Sequence, residues 1–275
     1  MQENKKVYPS ERKPGKWLSY LLLFLSAVIV FSGLAGRGKD APVIEAAATP
    51  TPIPLEEAFD ETVESRDIQL PGTVWYALQL GAFQDQTEAE KLGEQYQRRG
   101  AAGYVWQDGR YRTLAALYPS KEDAQNVRQQ LLSQHNIESN LYEISLQELT
   151  LRMKGMKGQI DVLEAAFQDA EELIAQLQGY SVKMDRQELN PEEAYAALQS
   201  LGDRARLISA RLRQRFQAPR NAAVEGLIAL FEDFEAFRAG QDEKESAVVW
   251  SRQMKYQSIR TLELLKQIFD GLGNT

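Results

Sequence analysis

The chain opens with a short polar segment and then a long uncharged apolar run. Residues 17–34 have the sequence WLSYLLLFLSAVIVFSGL, and residues 1–16 before them carry five Lys or Arg side chains against two acids. As a helix the run is about 27 Å long, close to the ~30 Å hydrocarbon core of a bilayer. Because basic flanks stay in the cytoplasm, the pattern predicts a cytoplasmic tail over 1–16, one transmembrane helix over 17–35 and the remainder outside the cell membrane.

A cleaved signal peptide is the alternative interpretation of this run, because small residues at Gly33 and Ala35 suit a signal peptidase. The apolar region of a signal peptide usually spans about 7–15 residues. The present run is longer, so we favour an uncleaved membrane anchor. A buried core helix fits poorly, since both flanks are polar and the run has no polar face.

The following segment is rich in proline and acidic residues. Residues 36–72 contain APVIEAAATPTPIP and then EEAFDETVESRD. Prolines favour an extended backbone and the acidic side chains repel one another. We therefore expect a disordered linker over 36–72.

Period-two and helical patterns alternate through residues 73–146. Apolar and β-branched residues predict four strands, at residues 74–80, 101–106, 111–118 and 139–145. Helices are predicted in the two longer gaps, the second of them capped by Ser120, and Asp108-Gly109 predicts a two-residue hairpin turn. The order βαββαβ predicts an α+β domain, a single antiparallel sheet with both helices on one face.

Strand alternation predicts which side chains lie on the face that the helices leave open. A two-residue turn pairs Val105 with Arg112, and Leu114, Gln79 and Trp75 then point to the same side. Such a face offers an amide, a guanidinium and an indole around an apolar strip, and sugars can bind there through hydroxyls and C–H faces. The simpler alternatives are a solvent-facing Gln79, an Arg112 paired with an acid across the sheet, and a Trp75 that only covers an edge.

Two motifs in this domain resemble the two halves of the SPOR (sporulation-related repeat) domain. The first half is YALQLGAF at 76–83, and the second is YRTLAALYPSKEDA at 111–124, with Thr113 in place of the usual valine and Ala116 in place of the usual glycine. The resemblance implies binding of bacterial cell-wall glycan, especially strands stripped of stem peptides at division or sporulation sites. It makes the open-face residues candidate glycan contacts: Gln79, Arg112, Trp75, Leu114 and Val105.

The remaining residues, 147–275, predict an all-helical domain. Apolar residues recur every three or four positions, and the helix signals Asn190-Pro191, Pro219 and Gly240 divide the segment into four amphipathic helices. Short connections predict an antiparallel bundle. The apolar stripes predict an internal core, and the alternative is a docking or dimerising surface for a protein partner.

Composition restricts the chemistry that the chain can perform. The sequence has no cysteine and one histidine, His135, which lies near a predicted helix end where C-capping is expected. No metal-ligand spacing, nucleophile elbow or phosphate loop is present, so we predict no cofactor and no enzyme.

Residues 73–146 carry seven basic and nine acidic side chains. Nucleic acid is therefore not an expected partner, although RNA-binding domains share the βαββαβ order.

These features together predict a membrane-anchored, extracytoplasmic protein that binds peptidoglycan glycan strands and presents a helical interaction domain. The alternative is a membrane-tethered scaffold or regulator whose bundle recruits a partner, with a degenerate SPOR-like module. A wall hydrolase is the weakest of the three hypotheses.

Overall fold

The structured region begins near the end of the predicted linker. The computed structural model describes residues 62–273, so the predicted tail, transmembrane helix and residues 36–61 of the linker lie outside the described residues. No helix within 62–273 is long and apolar enough to cross a membrane. The elements in chain order are β1 (Val63–Leu70), β2 (Thr73–Phe83), α1 (Gln86–Gln97), β3 (Tyr104–Gln107), β4 (Tyr111–Tyr118), α2 (Lys121–His135), β5 (Asn140–Leu146), β6 (Leu149–Met156), α3 (Lys157–Asp185), α4 (Pro191–Arg215), α5 (Ala222–Ala239) and α6 (Ala247–Gly273).

Four strands form the antiparallel sheet that the sequence predicts, in the spatial order β3-β4-β2-β5. Helices α1 and α2 pack on one face of this sheet. The small core between them is made of buried apolar side chains: Leu78, Ala101, Ala115, Leu131 and Ile137. The predicted βαββαβ order, with both helices on one face, is confirmed.

Local capping fixes the ends of α1 and α2. The Asp85 carboxylate accepts a hydrogen bond from the backbone N–H of Glu88, and the Ser120 hydroxyl accepts one from Asp123. Such caps satisfy donors that the first helical turn leaves unpaired. Asn136, with a left-handed φ of 53°, is the C-cap of α2. His135 itself lies in the last turn of α2, the helix end at which the sequence places it.

Helix α1 approaches β3 through two glycines. A Cβ added to Gly93 would lie 2.6 Å from the Gly103 carbonyl oxygen, and Gly103 itself has a φ of +59°. A methyl group has no room here, because the atom it would meet belongs to the backbone rather than to a flexible side chain.

Gly93→Ala is therefore expected to lower the free energy of unfolding by about 1–3 kcal/mol, since α1 must move away from β3. Urea unfolding of the two proteins measures the difference. Gly179→Ala in α3 is the matched control, because nothing lies within 4 Å of its added Cβ. Removing a helical glycine there should raise stability by about 0.5–1 kcal/mol. Equal effects of the two substitutions would contradict the close packing of α1 on β3.

A separate two-stranded sheet pairs β1 with β6, in antiparallel register from Val63 opposite Met156 to Leu70 opposite Leu149. Two domain boundaries predicted from the sequence are wrong in consequence. The linker does not extend to residue 72, because residues 63–70 are a strand. The segment from 147 onward is not entirely helical, because it begins with the second strand of this pair.

The residues on the inward side of β1 explain why the sequence of this strand resembles that of a linker. Its inward positions include a charged residue, Arg66, which donates to Asp161 at 2.7 Å and to Glu164 at 3.2 Å on α3. The next inward residue, Ile68, is fully buried. A period-two pattern in which an arginine takes an inward position is hard to recognise before its helical partner is known.

Helices α3 to α6 form the four-helix region that the sequence predicts. Asn190 caps α4 by accepting from the Glu193 backbone N–H at 2.9 Å, and the Glu193 carboxylate accepts a hydrogen bond from the Asn190 backbone N–H at 3.0 Å. The predicted apolar stripes are buried inside this region, where the largest buried side chains include Phe167, Phe231, Phe234 and Trp250. Their prediction as an internal core is confirmed.

The second face of the four-stranded sheet is covered by the helical region. Helices α6 and α3 contact β4, and α6 also contacts β3. The sheet face and these helices share one continuous core, to which the sheet contributes Trp75, Ala77, Tyr104, Trp106, Leu114, Leu117, Ile144 and Leu146. The prediction of an open sheet face is wrong. Burial of eight apolar side chains on that face stabilises the folded protein, and the helices α3 and α6 bury them.

Candidate functional site

Polar side chains gather at the end of the sheet that the helical region does not cover. Gln79 of β2, Arg112 of β4, Tyr142 of β5 and Asp108 of the β3–β4 loop form what we call the strand-end cluster. The Arg112 guanidinium donates to Gln79 Oε1 at 2.8 Å and to Asp108 Oδ1 at 2.7 Å. Both contacts fix the plane of the guanidinium, because they use different nitrogens.

Tyr142 completes the strand-end cluster from the edge strand. The Arg112 guanidinium lies 4.5 Å from the centroid of the Tyr142 ring, within the range of a cation–π contact. The Tyr142 hydroxyl donates to the Asp108 carboxylate, and Trp106 of β3 lies directly opposite Arg112 in the β3–β4 register. The side chains of Arg112 and Asp108 keep 22% and 29% of their surface exposed, so solvent reaches the charged pair.

Two irregularities in the β2–β4 register bring these residues together. Ala77 lies opposite Leu117, but Gln79 lies opposite Leu114 and Gly81 opposite Thr113. Each shift adds a residue on one strand, as in a β-bulge, which redirects side chains near functional sites. As a result Gln79 and Arg112 face the same side of the sheet, although the β2–β4 pairing between them is irregular.

Gly81 lies within β2 rather than at its end, because the strand continues to Phe83. The strand predicted over residues 74–80 therefore extends three residues further than its sequence pattern indicates. A Cβ added to Gly81 would lie 2.7 Å from the Phe83 ring and 2.8 Å from Leu92 of α1. The glycine is thus a close-packing position beside the bulge.

The hairpin register places Val105 on the opposite face from the one predicted. Gln107 pairs with Tyr111, which leaves a three-residue loop, and Val105 lies opposite Thr113. The Thr113 hydroxyl donates to the carbonyl of Ala89 in α1 at 2.8 Å, so this pair faces the helices α1 and α2. A shift of one residue moves a side chain to the other side of a sheet.

The remaining predicted contacts differ in their accessibility. Trp75 and Leu114 do lie on the predicted face, but they are only 8% and 0% exposed because the helical region covers them. Gln79 is 9% exposed and is held by Arg112. Arg112 is therefore more exposed to a ligand than Gln79, Trp75 and Leu114, the other predicted residues on this face.

Two members of the strand-end cluster were not identified from the sequence. Asp108 carried only the signal of a turn residue, and Tyr142 that of an ordinary strand residue. Their side chains meet Arg112 because the hairpin loop and the start of the edge strand β5 lie at the same end of the sheet. A tyrosine in the last strand and an acid in the hairpin are recognisable as partners only after the register is known.

The surroundings of Asp108 and Tyr142 in the cluster determine the protonation state of each side chain. Burial opposes ionisation of Asp108, but hydrogen bonds from Tyr142 and Arg112 outweigh it and hold the Asp108 pKa below its usual value. Burial and the hydrogen bond to Asp108 raise the pKa of Tyr142 to about 12. Asp108 is thus ionised and Tyr142 neutral at ordinary pH.

Any function of the cluster is expected to be insensitive to pH between about 5 and 9. The stabilisation from Asp108 is complete above its unfolded pKa of about 3.9 and is lost as the pH falls through its lowered folded value. The stabilisation from Tyr142 is complete below about pH 10 and is lost as the pH rises through about 12. A ligand-binding titration across pH 5–9 checks this, and a steep change near neutrality would contradict it.

A concave surface lies on the α2 side of the sheet. Its lining is mainly apolar, with Lys255 and Asp185 at one end. The Lys255 ammonium is 2.7 Å from the Asp185 carboxylate and donates to the Gly100 carbonyl at 3.1 Å, so both charges are paired. Such a cleft offers few hydrogen-bonding groups to a polar polymer, and the strand-end cluster is the better candidate for a sugar.

No group of three or more acidic or histidine side chains that could hold a metal ion occurs in residues 62–273. The strand-end cluster itself contains one carboxylate, whose oxygens are bonded to Arg112 and Tyr142. Its chemistry is therefore that of hydrogen bonding and stacking.

Comparison with known proteins agrees with the geometry of the sheet. Residues 72–141 match the SPOR domain family, a range that includes Gln79, Asp108 and Arg112. No curated protein and no solved structure matches the chain. SPOR domains bind peptidoglycan and are binding rather than catalytic domains. The SPOR match of this chain thus covers β2 to β4, the helices α1 and α2, and the first two residues of β5.

Proposed function

We propose that this protein binds peptidoglycan glycan strands at the strand-end cluster of its SPOR domain, while the helical region stays packed on the sheet. One observation carries the proposal. Arg112 lies in the matched segment, remains partly exposed, and is held in place by Gln79 and Asp108. Two of its five N–H donors make these contacts, and the others can bind a ligand.

The chemistry of the cluster suits an amino-sugar polymer. Arg112 can donate to sugar hydroxyls and N-acetyl carbonyls, and the Asp108 carboxylate can accept from hydroxyls. Removal of a stem peptide by hydrolysis of its amide bond leaves a carboxylate on the glycan. A guanidinium binds carboxylates through two parallel hydrogen bonds. Stripped strands should therefore bind more tightly than peptide-bearing strands.

Sedimentation with isolated sacculi tests this proposal. The full chain, kept in a mild detergent because of its apolar N-terminal segment, is mixed with sacculi before and after treatment with an amidase. We expect the protein in the pellet in both cases and a larger pelleted fraction after amidase treatment. A protein that stays in the supernatant with both preparations would contradict glycan binding.

We further propose that residues 17–35 anchor the protein in the cell membrane, with the tail 1–16 in the cytoplasm and residues 62–273 outside. The support is the uncharged apolar run with its basic flank. This arrangement suits recruitment to sites of cell division or sporulation. Protease added to intact spheroplasts should digest the SPOR domain, and full protection of that domain would contradict the orientation.

A membrane-tethered scaffold is the second candidate function. The observation in its favour is the cover of helices α3 and α6 over the sheet face, which makes most of that face unavailable to glycan. On this hypothesis the helical region recruits a protein partner and the SPOR domain is degenerate. The full chain would then fail to sediment with either preparation of sacculi.

A binding rather than a catalytic role follows for either candidate. The part of the chain that matches a family is a binding domain. We propose that the helical region is likewise non-enzymatic, because most of its carboxylates lie in ion pairs. Arg204 bridges Asp169 and Glu172 in this way, and Arg213 pairs with Glu232.

A further inference from the structure

Strand β3 connects the strand-end cluster to helix α6. Its residues Tyr104 and Trp106 are two positions apart and point to the same face, so their Cα atoms are about 7 Å apart. Trp106 lies directly opposite Arg112 of the strand-end cluster in the β3–β4 register. Tyr104 instead contacts α6, because its hydroxyl donates to Glu263 at 2.5 Å. Both aromatic residues of β3 are buried between the two groups.

Three residues of α6 form the other side of this connection. Tyr256, Arg260 and Glu263 are spaced four and three residues apart, so they share one stripe of the helix, which we call the α6 stripe. The Tyr256 ring lies edge-on to Tyr104, with centroids 4.9 Å apart. Arg260 is 3.4 Å from both Glu263 and Asp233 of α5.

The α6 stripe remains at the surface. Tyr256 is 40% exposed, and few large hydrophobic side chains within residues 62–273 are equally exposed. The Arg260 side chain is 37% exposed. Burial raises the pKa of Tyr256, so its hydroxyl stays protonated and can donate. A tyrosine face beside a guanidinium is an arrangement that suits sugar rings, whose C–H faces stack while their hydroxyls accept hydrogen bonds.

We propose that the glycan site continues from the strand-end cluster onto the α6 stripe, so that the helical region supplies a second glycan subsite. Tyr256 is the stacking surface of this subsite, and Arg260 donates hydrogen bonds to hydroxyl or carboxylate oxygens. The proposal rests on the proposed function of the SPOR domain. The helical region covers one face of the sheet, and on this proposal its own surface takes part in glycan binding instead of that face.

Binding of soluble glycan fragments of increasing length tests the second subsite. Amidase-treated glycan is cut with a muramidase, separated by length, and titrated into the full chain in detergent. A short fragment fills only the strand-end cluster, whereas a longer one reaches the α6 stripe. We expect affinity to rise with length in the wild type. Tyr256→Ala should remove most of this rise, a loss of roughly 3- to 10-fold for the long fragments.

Matched variants separate the subsite from effects on folding. Tyr256→Phe keeps the ring and should retain most of the rise in affinity with length. Leu132→Ala removes a side chain of similar exposure, 47%, from α2 on the other side of the sheet, and should leave binding unchanged. Thermal unfolding of each variant shows that the fold persists. If Tyr256→Ala does not fold, Tyr256→Gln replaces it in the same comparison.

Each outcome bears on one proposal or on both. A wild-type protein whose affinity rises with length, with the same rise in Tyr256→Ala, overturns the second subsite and leaves glycan binding by the SPOR domain intact. A wild-type affinity that is independent of length also overturns it. A wild-type protein that binds no fragment overturns the proposed function and the second subsite together.

Discussion

Arg112→Ala is expected to lower the affinity of the full chain for amidase-treated sacculi by roughly 10- to 100-fold. The guanidinium is the exposed cation of the strand-end cluster, and a hydrogen bond to a charged group contributes about 1.5–3 kcal/mol. The substitution also releases Gln79 and Asp108 from their contacts. Sedimentation at increasing protein concentration measures the affinity.

Two further variants make this comparison specific. Arg152→Ala removes an arginine of the same charge from the outer side of β6, where its side chain is 83% exposed and pairs with Asp67. It should bind as the wild type does. Arg112→Lys keeps the charge but not the planar fork that bridges Gln79 and Asp108, so an intermediate affinity is expected. Wild-type binding by Arg112→Ala would place the glycan site elsewhere.

Removal of the helical region is expected to abolish cooperative folding of the SPOR domain. A fragment of residues 62–146 would expose the sheet face that α3 and α6 cover, including Trp75, Tyr104, Trp106 and Leu114. It would also leave β1 without its partner β6. Large exposed apolar patches favour aggregation. Size-exclusion chromatography and urea unfolding should show aggregates without a cooperative transition.

The fragment of residues 62–273 is the control for this truncation. It retains the whole continuous core, and we expect a monodisperse protein with one cooperative unfolding transition. A monomeric 62–146 fragment with a cooperative transition of its own would show that the helical region is an optional cover rather than half of the core.

Local patterns were sufficient to predict the SPOR domain and the four helices. Strand alternation, a Ser120 cap and turn residues each act within a few positions of the chain. The predicted register of the β3–β4 hairpin is wrong by one residue, because a three-residue loop and a two-residue turn both tolerate Asp-Gly. That single shift moved Val105 to the wrong face, and the bulges around Gln79 followed no sequence signal that we recognise.

The covered sheet face had a signal in the sequence. VWYALQL and YRTLAALY are nearly continuous apolar runs, which are typical of strands buried on both faces rather than of a half-exposed sheet. Interpreted in that way, they predict a second layer over the sheet. The prediction of an open face gave more weight to the amide of Gln79 than to its apolar neighbours.

The pairing of β1 with β6 could not be predicted from local patterns. The two strands are separated by the whole SPOR domain, and each contributes a weak alternation. Ion pairs between Arg66 and α3 stabilise β1 in its position, and such contacts are visible only in three dimensions. The same limit applies to the strand-end cluster, whose members come from three strands and one loop.

The central claim is that glycan binds at the strand ends while the helical region remains docked on the sheet. Hydrogen exchange of the full chain, with and without saturating amidase-treated glycan, tests it most directly. We predict slower exchange at the backbone amides of residues 79–83, 108–112 and 140–142, with no change in the core of α6. Faster exchange along α6 and β3 on addition of glycan would show that the helical region is released, and would contradict the claim.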